Sequence, residues 1–197
     1  MKTVFFDIDT QYDFIMPNGN LYVPGAVNLI PNFQKLSEIA LEYGIKVVSS
    51  ADAHIMDDPE FEFFPPHCIK GEPGWLKIPE TTFEDIYHIK NEEEKMNGGP
   101  SAQQIVLEKT EFSMWSNPNT ERLLVGLGLK RAIVYGVATD YCVKAAALGL
   151  IKRGYETYVV EDAIAAVSPE TNTTALEEMK EVGVKFIKTK DVEGLLE

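Results

Sequence analysis

The chain has 197 residues, of which 45% are hydrophobic and 25% are charged, values ordinary for a globular protein with one core. Its formal net charge of −13 argues against a nucleic-acid partner, and no apolar run is long enough to span a bilayer. We therefore expect one domain over residues 1–197 that binds neither nucleic acid nor membrane. The N-terminus has no export-signal pattern, which favours a cytoplasmic location and free thiols on Cys68 and Cys142.

The first half of the chain shows a strand–helix–strand pattern. Thr3 to Ile8 is apolar and predicts a buried strand, and apolar residues at helical spacing then predict a helix that ends at Gly44. Ile45 to Val48 predicts the second strand and completes a right-handed βαβ unit. From about residue 50 to 100 the pattern is lost in Asp, Glu, Pro and Gly. A long irregular segment inside a domain is usually functional.

The second half of the chain alternates strands and helices. The predicted elements are a strand at Gln104 to Leu107, a helix at Pro118 to Leu127, a strand at Ala132 to Tyr135, a helix at Val143 to Ile151, a strand at Tyr155 to Glu161, a helix at Glu170 to Val182, a strand at Val184 to Ile187 and a short helix at Val192 to Glu197. This alternation predicts an α/β fold, a doubly wound and mainly parallel sheet of about six strands with helices on both faces.

Cys142 follows the Ala132 strand, where the chain passes into the next helix. Thr139 and Asp140 are residue types that begin helices, because their side chains accept hydrogen bonds from first-turn N–H groups. This pattern predicts Cys142 in a first helical turn at the carboxyl edge of the sheet, where the helix dipole favours a thiolate. The alternative is that Cys142 is a small buried residue that closes a strand–helix joint. This stretch alone does not distinguish the two interpretations.

Two other strand ends supply complementary groups. Asp9 follows the first strand, and Lys109 follows the strand that begins at Gln104. A thiol that attacks an acyl carbon needs a base, a cation and donors for the oxyanion. Asp9 is the candidate base, Lys109 is the candidate cation, and N–H groups near Ala138 and Cys142 are the candidate oxyanion hole. A carboxylate paired with a lysine is more often structural, so the argument depends on their coincidence at one sheet edge.

The irregular segment carries residue types that bind metals. Asp52 and His54 follow the second strand at alternate positions, and His67 lies further along. Imidazole and carboxylate ligands together suit Zn²⁺, Mn²⁺ or Fe²⁺, although two loop histidines can equally be surface or core residues. Three aromatic residues near these motifs are candidates to flank a flat ring, although most aromatic residues belong to the core: Phe14, Phe64 and Trp115.

Taken together, these motifs resemble a known family. They are Asp9-Thr10-Gln11-Tyr12-Asp13-Phe14, Asp52-Ala53-His54, Phe64-Pro65-Pro66-His67-Cys68, Lys109 and Gly136-Val137-Ala138-Thr139-Asp140-Tyr141-Cys142. They are similar to motifs of the isochorismatase-like cysteine hydrolases. Within that superfamily, the Asp-x-His and Pro-Pro-His-Cys motifs resemble the nicotinamidase/pyrazinamidase branch.

The resemblance implies an isochorismatase-like hydrolase fold and a set of catalytic roles. It implies a triad of Asp9, Lys109 and Cys142, an oxyanion hole at the N–H groups of Ala138 and Cys142, and a cis peptide bond before Ala138. The implied reaction is hydrolysis of nicotinamide to nicotinic acid and ammonia through a cysteine thioester. Two alternatives stay open: another amide or carbamoyl hydrolase of the superfamily, and a metal- or ligand-binding protein without catalysis.

The resemblance also implies one divalent metal ion, held by Asp52, His54 and His67. Many members of the family carry a further histidine eight residues after the metal aspartate, and this chain has Glu60 there. We expect Glu60 to be a fourth ligand, with zinc favoured and manganese or iron left open by the harder oxygen donor. The expected partner is a small molecule, nicotinamide or a close analogue, and the sequence leaves a homo-oligomer open.

Overall fold

The computed structural model describes residues 2–94 and 100–196. Within these residues the strands are β1 (Thr3–Ile8), β2 (Val47–Asp52), β3 (Ile86–Ile89), β4 (Gln104–Lys109), β5 (Arg131–Val137), β6 (Glu156–Ala165) and β7 (Lys185–Ile187). The α-helices of the same residues are α1 (Tyr12–Ile15), α2 (Ile30–Glu42), α3 (Thr120–Leu127), α4 (Lys144–Lys152) and α5 (Pro169–Glu181). All strand pairs are parallel, in the order β3-β4-β2-β1-β5-β6-β7.

The α/β fold with a doubly wound parallel sheet is confirmed, but the predicted count of six strands is wrong. The described residues form a 7-stranded sheet. The strand that sequence reasoning missed is β3, which has only 4 residues and pairs with β4 at the edge of the sheet. Its two middle residues, Tyr87 and His88, are exposed, so it lacks the apolar run of a buried strand. Its extended conformation depends on pairing with β4 rather than on its own sequence.

Alternate side chains of β1 enter two separate hydrophobic layers. Phe5 packs in the layer that contains Phe33 and Leu36 of α2. Phe6 points to the opposite face and packs in the layer that contains residues of α3 and α4, such as Leu124. Because a strand has a side-chain period of two, an apolar run of this kind requires cover on both faces. The central strands are therefore buried, and their carboxyl ends meet along one edge.

The sequence predicts Cys142 in the first turn of an α-helix, but the structure does not place it there. It lies in a π-helical turn, Thr139–Val143, and α4 begins only at Lys144. Asp140 does not cap this turn. Its carboxylate instead accepts hydrogen bonds from the N–H of Val167, at 3.1 Å, and from the hydroxyl of Thr171 in α5. The peptide bond between Val137 and Ala138 is cis, as the family resemblance implies.

Buried polar contacts fix the irregular segment to the sheet. Lys77 Nζ lies 2.6 Å from Asp7 Oδ2 and donates a hydrogen bond to Thr10 at 2.7 Å. The backbone N–H of Cys68 donates to Asp13 Oδ2 at 2.7 Å. Since buried polar groups without partners are costly, these contacts specify where the segment lies. They hold the stretch around Cys68 close to the end of β1.

The C-terminal stretch differs from its prediction. In place of a helix from Val192, the structure has two separate 3-10 turns, Thr189–Asp191 and Glu193–Leu195. Glu197, the predicted end of that helix, lies outside the described residues. None of the helices described is long and apolar enough to cross a membrane.

Candidate active site and metal centre

The carboxyl ends of β1, β4 and β5 bring together the side chains of Asp9, Lys109 and Cys142. Lys109 Nζ lies 2.9 Å from Asp9 Oδ2 and 3.9 Å from Cys142 Sγ. All three residues are buried, Lys109 completely. Asp9 has a φ of 49°, in the left-handed region where β1 ends, and the hydroxyl of Ser50 donates to its other oxygen at 2.6 Å. The structure thus places the sequence-predicted triad in one contiguous group.

Burial sets the protonation of this group. It raises the pKa of the Cys142 thiol well above its ordinary value, although Lys109 acts in the opposite direction. Burial acts to lower the pKa of Lys109, but the carboxylates of Asp52 and Asp9 outweigh it and raise that pKa well above its ordinary value. These directions favour a charged lysine beside a neutral thiol, so the thiol needs a base before it can attack, which is the role that the sequence suggests for Asp9.

A second cluster surrounds Asp52 Oδ2. This oxygen lies 3.8 Å from His54 Nε2 and 3.8 Å from His67 Nε2, and one ligand atom from each of the three residues falls within 4.8 Å of the others. Glu60 Oε2 lies 4.0 Å from His54 Nε2. Two ligands at about 2.1 Å from one ion are separated by at most about 4.2 Å. The separations from Asp52 and Glu60 therefore match atoms arranged around a single cation.

The histidine orientations also fit a metal ion. His54 Nε2 is buried and has no hydrogen-bond partner among the described residues, whereas His54 Nδ1 lies 2.9 Å from Asp58 Oδ2. His67 Nδ1 similarly lies 2.8 Å from the carbonyl oxygen of Pro65. Metal-binding histidines characteristically use one nitrogen for such a fixed partner and the other for the ion. Two imidazoles and one carboxylate suit Zn²⁺, Mn²⁺ or Fe²⁺.

The carboxylates around His54 change the pKa of its ring. Burial acts to lower the pKa of His54, but the carboxylates of Asp52 and Asp58 outweigh it and raise the pKa to about 8. These carboxylates therefore favour positive charge at the ring, and a metal ion that binds Nε2 competes with a proton there.

Asp52 connects the two clusters. Its Oδ2 faces the histidines, whereas its Oδ1 accepts a hydrogen bond from Lys109 Nζ. Burial acts to raise the pKa of Asp52, but Lys109 and the two histidines outweigh it and lower the pKa well below its ordinary value. The backbone of Asp52 is held in turn by the side chain of Gln11, which donates to its carbonyl at 2.8 Å and accepts from its N–H at 2.7 Å.

Both clusters open into one cavity of ≈ 120 Å³. The lining includes Asp9 and Cys142 together with Asp52, Glu60 and His67. The cavity volume is close to the roughly 150 Å³ of an engineered cavity that holds benzene. The site therefore suits a substrate about as large as one six-membered ring, within reach of both the thiol and the metal cluster.

Comparisons with known proteins show the family to which the chain belongs. The family model described as the isochorismatase domain matches residues 91–191, which include Lys109, Ala138 and Cys142. The chain belongs to the isochorismatase family.

Three similar proteins extend the isochorismatase match over most of the chain. Nicotinamidase/pyrazinamidase of Mycobacterium tuberculosis is 29% identical, over 91% of this chain and 95% of that protein. A probable inactive nicotinamidase of Arabidopsis thaliana is 27% identical, over 93% and 91%. The crystal structure of pyrazinamidase of Pyrococcus horikoshii in complex with zinc superposes with a TM-score of 0.81 and 29% identity, covering 95% of this chain and 99% of that one.

The aromatic contacts of this isochorismatase-family chain differ in part from their prediction. Phe14 and Phe64 line the cavity. Trp115 does not; its indole N–H donates to the carbonyl of Ala145 at 3.1 Å, and the guanidinium of Arg153 lies 3.7 Å above its ring. The interpretation of Trp115 as a substrate contact is therefore wrong, because the turn after β4 directs its ring towards α4.

Sequence reasoning missed several residues that line the cavity of the isochorismatase-family chain. They include two aromatic residues of one wall: the ring centres of Phe112 and Tyr141 are 5.2 Å apart, and those of Phe64 and Phe112 are 5.9 Å apart, with the rings of the second pair perpendicular. Their positions were a usable signal, since Phe112 follows Lys109 by three residues and Tyr141 directly precedes Cys142. Of the predicted site residues, those that line the cavity are Asp9, Phe14, Asp52, Glu60, Phe64, His67, Ala138 and Cys142.

Proposed function

We propose that this chain is a metal-containing nicotinamidase, which hydrolyses nicotinamide to nicotinic acid and ammonia. One observation carries the proposal: the group around Cys142 and the cluster around Asp52 line the same ring-sized cavity. Nicotinamide offers a carboxamide at one end of a flat ring and a nitrogen donor in the ring itself. The two clusters complement these two groups. The aromatic side chains of Phe14 and Phe64 are proposed to flank the faces of the ring.

The proposed chemistry begins at Cys142. Asp9 accepts the thiol proton, and the sulfur forms a bond to the carboxamide carbon. The developing oxyanion is stabilised by the backbone N–H groups of Ala138 and Cys142, and Lys109 balances the negative charge nearby. Asp9 then gives its proton to the leaving nitrogen as the C–N bond breaks, which releases ammonia and leaves a thioester. A water molecule loses a proton to Asp9 and attacks the thioester, the C–S bond breaks to give nicotinic acid, and Asp9 returns the proton to the sulfur of Cys142.

The metal would be held by Asp52, His54 and His67, with Glu60 proposed as a further ligand. When bound, such an ion supplies a Lewis-acidic contact for a ring nitrogen. The thiol chemistry involves Asp9, Lys109 and Cys142 alone. The contribution of the metal cluster is therefore to select and orient the substrate.

The nearest rival function is hydrolysis of another amide or of a carbamoyl group. The charges of the cavity disfavour substrates that carry a carboxylate. Its described lining includes the acidic side chains of Asp9, Asp52 and Glu60 but no lysine or arginine. A neutral carboxamide avoids repulsion from these groups, whereas an anionic amide such as maleamate brings a further negative charge beside them and has no ring nitrogen for the metal cluster.

A more distant rival is a protein that binds metal or ligand without turnover. The complete set of Asp9, Lys109 and Cys142 argues for catalysis, because binding alone does not require a buried thiol beside a base and a cation. A relative named as a probable inactive nicotinamidase makes the direct assay necessary.

The experiment compares two cysteine variants. Cys142→Ala is expected to lower ammonia release from nicotinamide by about 10⁴–10⁶-fold, as for the removal of other catalytic nucleophiles. Cys68→Ser is the matched control, because Cys68 is equally buried but its Sγ faces the carbonyl of Gly74 at 3.8 Å. The control is expected to keep most of the activity. Full turnover in Cys142→Ala would refute the thiol mechanism.

Substrate analogues separate the proposed function from its rivals. Benzamide has the same carboxamide without the ring nitrogen and is expected to be a much poorer substrate than nicotinamide. Maleamate is expected to react poorly because of its charge. Equal cleavage of benzamide by metal-free protein would leave only a general cysteine amidohydrolase. Tight binding of nicotinic acid without ammonia release from any amide would favour a binding protein.

A further inference from the structure

Asp58 lies outside the predicted site residues and contacts two of them. Its Oδ2 lies 2.9 Å from His54 Nδ1. Its Oδ1 accepts a hydrogen bond from the backbone N–H of Glu60 at 3.0 Å. One carboxylate therefore connects a histidine of the metal cluster with the backbone of the residue that would supply a further ligand.

The contact with His54 determines which ring nitrogen is free. A carboxylate only accepts hydrogen bonds, so Asp58 requires the proton of a neutral His54 ring to be on Nδ1. Nε2 then presents its lone pair to the cluster, where it lies 3.8 Å from Asp52 Oδ2 and 4.0 Å from Glu60 Oε2. A metal-bound imidazole needs this tautomer, and the partner of its second nitrogen fixes the direction of the ring.

The contact with the backbone N–H of Glu60 determines where the loop places the carboxylate of Glu60. Asp58 is the N-cap of the 3-10 turn Pro59–Glu62, and the N–H that it accepts is the one at Glu60. Loss of the cap leaves the N–H of Glu60 without this partner and removes one of the contacts that fix the backbone of Glu60 relative to His54.

We propose that Asp58 is a positioning residue for the metal centre, which orients His54 through one carboxylate oxygen and the turn of Glu60 through the other. The proposal rests on the metal site of the proposed function. It assigns to Asp58 no contact with the ion or with the substrate. Among the described residues, the Nδ1 atom of His67 contacts the backbone carbonyl of Pro65 rather than a side chain.

The chain offers a matched control in the neighbouring residue. Asp57 carries the same charge, is exposed, and makes no side-chain hydrogen bond within the described residues. Replacing Asp57 removes the same formal charge from the same loop, but leaves both positioning contacts in place. The comparison therefore separates geometry from long-range charge.

The experiment measures Zn²⁺ and Mn²⁺ binding by calorimetry or chelator competition at one fixed pH. Asp58→Ala is expected to weaken binding of each metal by about 10–100-fold, as other partners of metal-bound histidines do when they are removed. Asp57→Ala is expected to bind within about twofold of the unmodified protein, since an exposed charge contributes little. Thermal unfolding of each metal-free variant in chelator checks that the fold is intact.

Asp58→Asn provides a partial rescue. Its side chain has nearly the shape of aspartate but only one oxygen, so it can accept from His54 or from Glu60, not from both. Metal affinity between that of Asp58→Ala and that of the unmodified protein is expected. This variant also keeps the test decisive if Asp58→Ala does not fold.

The outcomes distinguish the proposal from the function on which it rests. Absence of metal binding by the unmodified protein would overturn the metal centre and the role of Asp58 with it. Normal binding by the unmodified protein and by both Asp58 variants would overturn the role of Asp58 and leave the metal centre in place. Equal losses in Asp57→Ala and Asp58→Ala would indicate a charge effect and would also overturn the positioning role.

Discussion

Replacement of Lys109 by methionine tests the electrostatic basis of the site. Lys109 is completely buried, and its Nζ contacts the carboxylates of Asp9, at 2.9 Å, and of Asp52. The formal charge of this trio is −1 when all three groups are charged. Lys109→Met removes the only cation of the trio and leaves two buried carboxylates close to each other. Removal of one partner from a buried ion pair typically costs about 3–5 kcal/mol.

This cost predicts a large fall in thermal stability. For a chain of this length, 1 kcal/mol corresponds to about 2–4 °C in Tm, so we expect Lys109→Met to lower Tm by about 6–20 °C. The measurement is thermal unfolding in chelator, followed by circular dichroism. Lys144→Met is the matched control, because Lys144 forms a more exposed pair with Glu178 at 2.9 Å. A surface pair contributes about 0–1 kcal/mol, so the control is expected to shift Tm by no more than a few degrees.

A charge-compensated variant identifies the cause. In Asp52→Asn/Lys109→Met one carboxylate is removed together with the lysine, so the trio regains its formal charge of −1. This double variant is expected to recover part of the stability that Lys109→Met loses, although its metal binding and activity stay low. Equal Tm values for Lys109→Met and Lys144→Met would refute the reasoning, because they would mean that the buried carboxylates do not need the lysine.

Two further predictions concern packing and the turn around the nucleophile. Gly149→Ala is expected to destabilise the fold by about 1–3 kcal/mol in urea unfolding, because its added Cβ would lie 1.9 Å from Trp115 Nε1. Gly194→Ala is the control and is expected to be close to neutral, because its Cβ meets nothing within 4 Å. Equal effects of the two substitutions would contradict the packing argument. Thr171→Val is expected to cost about 1.5–3 kcal/mol by removing a hydrogen bond to the buried Asp140 carboxylate. Thr173→Val removes only a bond to the carbonyl of Pro169, so a loss as large as that of Thr171→Val would contradict this role.

The sequence was sufficient to predict the central fold and the sheet edge. Apolar runs such as Thr3–Ile8 are long enough to identify buried parallel strands, and the carboxyl ends of such strands meet at one edge. Asp9, Lys109 and Cys142 all lie beyond the carboxyl ends of predicted strands, so their proximity could be expected without coordinates. Strand β3 was missed because its pairing with β4 is a long-range contact and its own sequence gives little local signal.

The details that sequence could not supply depend on side-chain direction. Trp115 is six residues from Lys109 in the chain, but its ring packs under α4 and stays outside the cavity. Asp58 is one of several acidic residues between His54 and Glu62, and its residue type does not distinguish it from Asp57. The protonation of Cys142 also depends on burial, which no local pattern reports. For Trp115 and Cys142 the deciding contacts join segments whose relative placement is fixed only by the fold, whereas the contacts of Asp58 depend on the local path of its loop.

The two oxygens of Asp52 explain why the two clusters have to be considered as one site. Oδ1 accepts from Lys109, which contacts Asp9 and Cys142, and Oδ2 faces the two histidines. A substitution at Asp52 therefore disturbs the balance of charge around the thiol and the metal cluster at the same time. Loss of activity in an Asp52 variant cannot assign a role to the metal. His54 is the informative position, because its ring contacts the cluster and Asp58, and its removal leaves the contacts of Lys109 in place.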